Sequence, residues 1–404
     1  MDKENVSQRK KILWVMTGSF SSLCNRGCAH CLDNANMENG CYFSPKNAEL
    51  LASEIKSEQE RSSDDVDSEL HLAGNGEILL NPDIVEIFDI IFGQNQKNSG
   101  NLVTSGIDSK APKEKDRLLE ILSREYASRL YFNLSFNLFE KRFPKRLIRT
   151  LELLFKNGVK KVGIMICQPR QRTLLTSYKL IWLIYHYFIR WVREIDPQAS
   201  WEEIYDCNLG EGVSSDAKHL SYLDCSPTLW RRHDGFLTPA STELECNGES
   251  LSIRSIPKTE LFHSTVDMRS IHMRTLRFLT KFGELEIKIK PKFLAKRGRA
   301  MKLDDLGFPD KGLCNFLAGS DYSPVHFGAD GSWYPNCDCP ILRSLRIGYV
   351  HEDVRQVWHR RETLRKHLFE KIISDQHGYA DICQFCQKTS TQLYYELRNK
   401  PLRC

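Results

Sequence analysis

The chain has 404 residues, 41% of them hydrophobic and 27% charged, enough apolar material for about two or three packed domains, which excludes a largely disordered, collagen-like or low-complexity protein. Its formal net charge of +5 sets 57 basic against 52 acidic residues, too slight an excess to imply a nucleic-acid partner. The longest uncharged apolar run, Leu180 to Ile189, holds ten residues between Lys179 and Arg190, where a bilayer span needs about twenty; no membrane segment is expected.

Residues 1–11 form a charged tail without the pattern of a secretory signal, so a cytoplasmic protein is expected. Ile12 to Ser19 then reads as a buried strand running into a Cys- and Asn-rich loop. Leu70 to Gly74, Leu102 to Gly106, Leu130 to Phe136 and Lys161 to Cys167 read as further strands. Between them lie helical patterns over Asp83 to Phe92, Asp116 to Glu125 and Lys145 to Asn157, the last closed by Asn157-Gly158, and a long helical stretch follows from Ser177 to Ile195. This rhythm predicts an α/β protein with a parallel sheet and right-handed crossovers, a barrel or partial barrel, over residues 12–195. Residues 196–282 read as an irregular, substrate-facing insertion and 283–311 as the last strand and a linker. Residues 312–404 read as a small α+β domain with a β-hairpin at DGSWYP and a helix around Asp353 to Ile373.

In a reducing compartment, fourteen cysteines point to metal or catalysis rather than to a disulfide frame. Four lie between Cys24 and Cys41 and five between Cys314 and Cys386, suggesting two metal sites. Cys24, Cys28 and Cys31 follow a C-x3-C-x2-C spacing in one loop at the end of the first strand. With Cys41 as a fourth ligand the loop could hold zinc; with three thiolates it could hold a 4Fe-4S cluster that leaves one iron open.

These residues resemble the radical S-adenosylmethionine (SAM) superfamily, whose C-x3-C-x-aromatic-C loop follows the first strand of a partial (β/α)6 barrel. Gly74-Asn75-Gly76-Glu77 resembles its GGEP segment, which binds the amino group of SAM. Thr104-Ser105-Gly106 resembles its segment near the ribose, and Ser135 a polar SAM contact at the fourth strand end. The chain departs from the pattern with His30 at the aromatic position, Asn75 for the second glycine and Ile78 for the proline. The resemblance implies a 4Fe-4S cluster on Cys24, Cys28 and Cys31, SAM cleaved reductively to a 5'-deoxyadenosyl radical, and a flavodoxin- or ferredoxin-type electron donor.

The C-terminal set resembles the SPASM and twitch extensions of that superfamily. Cys314 precedes the hairpin, Cys337 and Cys339 follow it, and Cys383-Gln384-Phe385-Cys386 closes the region. The resemblance implies one auxiliary 4Fe-4S cluster on Cys314, Cys337 or Cys339, Cys383 and Cys386; read from the residues alone, the same set also suits a zinc knuckle. Cys225 and Cys246, in the insertion, are candidate hydrogen-atom donors, and buried packing is the competing role. The expected function is hydrogen abstraction from a small polar metabolite or a peptide. The net reaction would be oxidation by dehydrogenation or cross-linking, or else epimerisation or elimination. Maturation of a ribosomal peptide is one alternative and a zinc-stabilised binding protein, from a different class, the other.

Overall fold

The computed structural model describes residues 11–28, 31, 35–62, 66–72, 75–107, 112–137, 145–168, 188–205, 230–233, 236–239, 243–246, 249–252, 274–293, 325–335, 342 and 345–374. Strands and helices alternate through its first half: β1 (Lys11–Gly18), α1 (Pro45–Arg61), β2 (Val66–Leu72), α2 (Ile84–Phe88), β3 (Asn98–Thr104), α3 (Pro112–Leu122), β4 (Leu130–Asn137), α4 (Lys145–Lys156) and β5 (Lys161–Gln168). Each of these strands runs parallel to the next, as expected where every return passes through a helix.

The sheet continues beyond the expected core. After α5 (Ile189–Ile195), β6 (Ser200–Tyr205) belongs to the main sheet, whereas β7 (Trp230–His233) pairs with β8 (Phe236–Pro239), and β9 (Glu243–Cys246) with β10 (Glu249–Ser252), as two separate hairpins. β11 (Arg274–Thr280) joins β6 and β12 (Gly283–Phe293) antiparallel, and β12 lies parallel to β5. The expected divisions at 196–282 and 283–311 therefore cut across one sheet. The cause is the alternation in Arg274–Thr280, which buries Leu276 and Phe278 in the main core.

The far edge differs from expectation in the same way. β13 (His326–Phe327) lies parallel to β1, and β14 (Ser332–Tyr334) and β15 (Gly348–Tyr349) follow antiparallel. The hairpin expected to open a separate domain at 312–404 thus extends the main sheet, followed by α6 (Val354–Ser374). Phe327 and Trp333 lie in the same core as Phe20, Phe43 and Phe88. A Cβ on Gly18 would stand 1.8 Å from the Phe327 ring, so only glycine fits where β13 pairs with the end of β1.

Local chemistry explains the helices. Ser44 caps α1, its Oγ accepting from the Asn47 amide at 3.2 Å, with Pro45 at the first position. Ala48, Leu51 and Ile55 form the buried face of α1, the two larger contributing about 1.5–3 kcal/mol each by leaving water. Leu147, Leu151 and Leu154 do the same for α4, and Gly158, at φ +83°, ends it. Among the described residues no helix is long and apolar enough to cross a membrane.

The two sheet faces differ. Leu70, Leu102, Phe132, Leu134, Val162, Ile164, Ile287 and Ile289 are buried in the core that includes the helices. The intervening residues, among them His71, Asn101, Tyr131, Asn133 and Lys290, point to the other face.

Candidate active site

The loop from β1 to α1 leaves the sheet at Ser19 and returns at Phe43. Its neck is closed by a β-bridge between Ser21 and Tyr42 and by the amides of Ser22 and Phe43, which donate to the carbonyls of Cys41 and Phe20. Asn81 clamps both sides: its buried Nδ2 donates to the carbonyls of Phe20 (2.8 Å) and Phe43 (2.9 Å). Within the loop the Cys24 amide donates to the carbonyl of Asn36 and the Cys31 amide to that of Cys28. Cys24, Cys28 and Cys31 are half-buried and Cys41 is exposed, and none is in a disulfide.

The segment after β2 is stitched to this loop. Asn75 N–H donates to Ser19 Oγ at 2.7 Å and Glu77 N–H to the Leu23 carbonyl at 2.9 Å. A Cβ on Gly76 would stand 2.3 Å from the Leu23 carbonyl oxygen, so glycine at this position is required by the approach of the two backbones. Asn75 Oδ1 is buried and has no hydrogen-bond donor among the described residues.

Glu77 is 3% exposed and already engaged. Thr104 Oγ1 donates to it at 2.6 Å, and the Ser105 amide and hydroxyl at 2.9 and 2.5 Å. Arg26, between the first two cysteines, donates to Ser105 Oγ and the Gly106 carbonyl and forms a 2.6 Å ion pair with Glu114 of α3, with its Nε 3.8 Å from Glu77. Sequence reasoning missed Arg26, Glu114 and Asn81. Burial opposes the charge on Arg26, but Glu77 and Glu114 outweigh it and raise its pKa. Burial raises the pKa of Cys24, and the charges of Glu77 and Cys31 add to it against the opposing Arg26.

A second polar group occupies the sheet face away from the helices. Lys290 of β12 donates to Asn133 Oδ1 of β4 at 3.1 Å and lies 4.6 Å from the centre of the Tyr131 ring. It reaches across β5, two strand spacings or about 9.6 Å, because residue 163 is glycine: a Cβ there would stand 1.9 Å from Asn133 Oδ1. Asn133 also donates to Asn101 of β3, and His71 Nε2 lies 2.6 Å from Glu69 Oε1 on β2. Burial lowers the pKa of Lys290 and neighbouring Lys288 adds to this, against Glu69. Tyr131 is pushed up to about 12 by burial and Glu286, which keeps its hydroxyl protonated.

The structure thus brings Cys24, Cys28, Cys31, Asn75, Gly76, Glu77, Thr104 and Ser105 to one end of the sheet, with Ser135 near the end of β4. His30, Gly74, Cys225, Cys314, Cys337, Cys339, Cys383 and Cys386 lie outside the described residues. Cys246 ends β9, opposite Glu249 of β10, in a hairpin apart from the main sheet.

Among the described residues no three His, Cys, Asp or Glu side chains converge where a single metal ion could be held. The donors at the loop are three thiols, soft ligands from one short segment, and their chemistry fits an iron-sulfur cluster, where each thiolate binds a different iron and the sulfurs surround a body instead of a point.

No family model matches the sequence, and no curated protein does. Among solved structures the chain is similar to BtrN in complex with AdoMet and 2-DOIA, at 11% identity and a TM-score of 0.37, covering 89% of each chain. It is similar over 44% of its length to Streptococcus suis SuiB bound to S-adenosylmethionine, at 13% identity, and to SuiB bound to precursor peptide SuiA, at 14% identity, both with a TM-score of 0.23. These matches span 49% and 47% of the SuiB chains. Likenesses this distant leave the site's own geometry to support the functional reading.

Proposed function

We propose that this chain is a radical SAM enzyme whose Cys24, Cys28 and Cys31 hold a 4Fe-4S cluster. The observation that supports this best is the placement of the three thiols: they sit on one loop, clamped at its neck by Asn81 and locked through Leu23 to the Gly76-Glu77 backbone, at the carboxyl ends of parallel strands. Ligands in open α/β sheets bind at that end. When bound, the cluster with its open iron supplies the electron that splits the sulfonium of SAM.

The chain's own residues hold and orient. Asn75 Oδ1, buried without a donor among the described residues, accepts a hydrogen bond from the amino group of SAM; a buried amide oxygen left unmatched costs about 1–3 kcal/mol, which a donor on the ligand would recover. Glu77 holds the Thr104 and Ser105 hydroxyls and, through Arg26, the thiol loop itself. Ser135 and His30 complete the proposed SAM contacts. Cys314, Cys337 or Cys339, Cys383 and Cys386 hold an auxiliary cluster in this reading, with Cys225 or Cys246 as a hydrogen donor if the product radical is quenched. A flavodoxin- or ferredoxin-type protein supplies the electron.

The test is anaerobic reconstitution of the full chain followed by assay of iron, sulfide and zinc and of 5'-deoxyadenosine formed from SAM under dithionite. The expected result is a brown protein that forms 5'-deoxyadenosine, with formation abolished in the Cys24→Ala, Cys28→Ala, Cys31→Ala variant. A colourless protein with stoichiometric zinc, or 5'-deoxyadenosine from the triple variant, would refute the reading.

A further inference from the structure

A parallel sheet covered by helices on both faces is apolar on both. Here one face of five neighbouring strands is polar at adjacent positions: His71 on β2, Asn101 on β3, Tyr131 and Asn133 on β4, the bare Gly163 on β5 and Lys290 on β12. Side chains of this kind are desolvated at a cost unless they meet one another or a ligand. They meet one another in part. Asn133, 2% exposed, joins Asn101 to Lys290. The ammonium of Lys290 has three N–H groups; Asn133 accepts from one, and the Tyr131 ring lies against it. Gly163 is what permits this arrangement, since any side chain there would displace Asn133.

We propose that this face is the substrate site and that it takes a small hydroxylated monocarboxylate, with the carboxylate on Lys290, which Asn133 positions, and hydroxyl groups on the Asn101 amide and Tyr131. The inference rests on the radical SAM reading only in calling the ligand a substrate. One negative charge follows from the surroundings. Lys290 and its neighbour Lys288 are the cations of this face, while Glu69, which acts on Lys290, and Glu286, which acts on Tyr131, offset them and oppose a second anionic charge such as that of a phosphate dianion. Hydroxyl groups suit the remaining side chains, because amides and a protonated phenol each both donate and accept.

The experiment is saturation-transfer NMR on the anaerobically reconstituted full chain, without SAM, using three matched probes: D-glucuronate, D-glucose and D-glucose 6-phosphate. The expected result is the strongest transfer to glucuronate, reduced roughly tenfold or more in Lys290→Met, as loss of a charge-assisted hydrogen bond implies. Lys290→Arg should keep the preference, and Lys281→Met, on the exposed turn after β11, should change nothing. Equal transfer to glucose, preference for the phosphate, no transfer to any probe, or an unaffected Lys290→Met would overturn the proposal. Should Lys290→Met not fold, Lys290→Arg decides: loss of the glucuronate preference there overturns it and retention supports it. A chain that binds glucuronate but never cleaves SAM sinks the enzyme reading alone; one that cleaves SAM without any such preference sinks this proposal alone.

Discussion

Arg26 Nη2 and Glu114 Oε2 lie 2.6 Å apart, with 2% of either side chain exposed. The thiol loop is therefore tied to α3 by an ion pair that water does not screen, and the same guanidinium lies 3.8 Å from Glu77. Buried pairs of this kind add little net stability over apolar packing, but losing one partner strands a charge. Their use here is to fix the part of the loop between the first two cysteines.

That asymmetry gives a prediction. Arg26→Met leaves Glu77 and Glu114 buried without their cation and should cost about 3–5 kcal/mol. Glu114→Gln leaves Arg26 with Glu77 and should cost less, about 1–3 kcal/mol. The double variant should recover part of the Arg26→Met loss, because its second carboxylate is neutralised. Urea unfolding of the four proteins checks this, and strict additivity of the two single changes would rule out the coupling.

Asn81 gives a second prediction. Its Nδ2 closes the loop neck through two carbonyls more than twenty residues apart in sequence, Phe20 and Phe43. Asn81→Ala removes both hydrogen bonds and should cost about 2 kcal/mol. The loss should be local first: the amides of Ser22 and Phe43, which bridge the neck, should exchange with deuterium faster while those of β3 and β4 keep their protection. Equal acceleration throughout would mean that Asn81 acts on global stability alone.

The alternation of strands and helices, the three thiols and the Gly-Asn-Gly-Glu segment were all legible in the sequence because each is a local pattern. α1 was not. Its buried face includes Glu58 and Gln59 beside Ala48, Leu51 and Ile55, so its apolar periodicity is weak and only the Ser44-Pro45 start marks it. The clamps were hidden for a different reason: Arg26 and Glu114 are 88 residues apart, and Asn133 and Lys290 157. Nothing local distinguishes Lys288 and Lys290 from the outward residues of an exposed strand; only the sheet order, which sets Gly163 between Lys288 and Asn133, puts them on the polar face away from the helices.

The pairing of β1 with β13 gives a third prediction. A methyl group at residue 18 would overlap the Phe327 ring at 1.8 Å, and that ring is packed against Phe20, Phe43 and Trp333. Gly18→Ala should therefore destabilise by about 1–3 kcal/mol through overpacking. Combining it with Phe327→Leu should cost less than the sum of the two single changes, because the smaller side chain vacates the volume the methyl needs. Thermal unfolding of the three variants measures this; a Gly18→Ala protein as stable as the wild type would show that the hairpin does not pack at the end of β1.

The hairpin turn gives the last prediction, in pH. Asp330 accepts from the Ser332 amide (3.1 Å), the Ser332 hydroxyl (2.9 Å) and the Tyr334 hydroxyl (2.9 Å), and Arg346 lies 3.3 Å away. Burial alone would raise its pKa, but the bonds from Ser332 and Tyr334 and the charge of Arg346 outweigh it, so the folded value falls below the ordinary 3.8. A carboxyl whose pKa is depressed on folding stabilises fully above its unfolded value and loses that contribution as pH falls through the folded one. Tyr334 has the opposite sign: burial, with the Asp330 charge beside it, pushes its pKa from 10.0 up to about 12. Its contribution is complete below pH 10.0 and is lost as pH rises toward about 12. The stability difference between wild type and Asp330→Asn should therefore be flat at neutral pH and shrink below pH 3.8. The difference between wild type and Tyr334→Phe should shrink above pH 10.0. Unfolding followed at the two extremes checks both arms. An Asp330→Asn difference that grows on acidification would mean that the carboxylate is not held by Ser332 and Tyr334 in the folded hairpin.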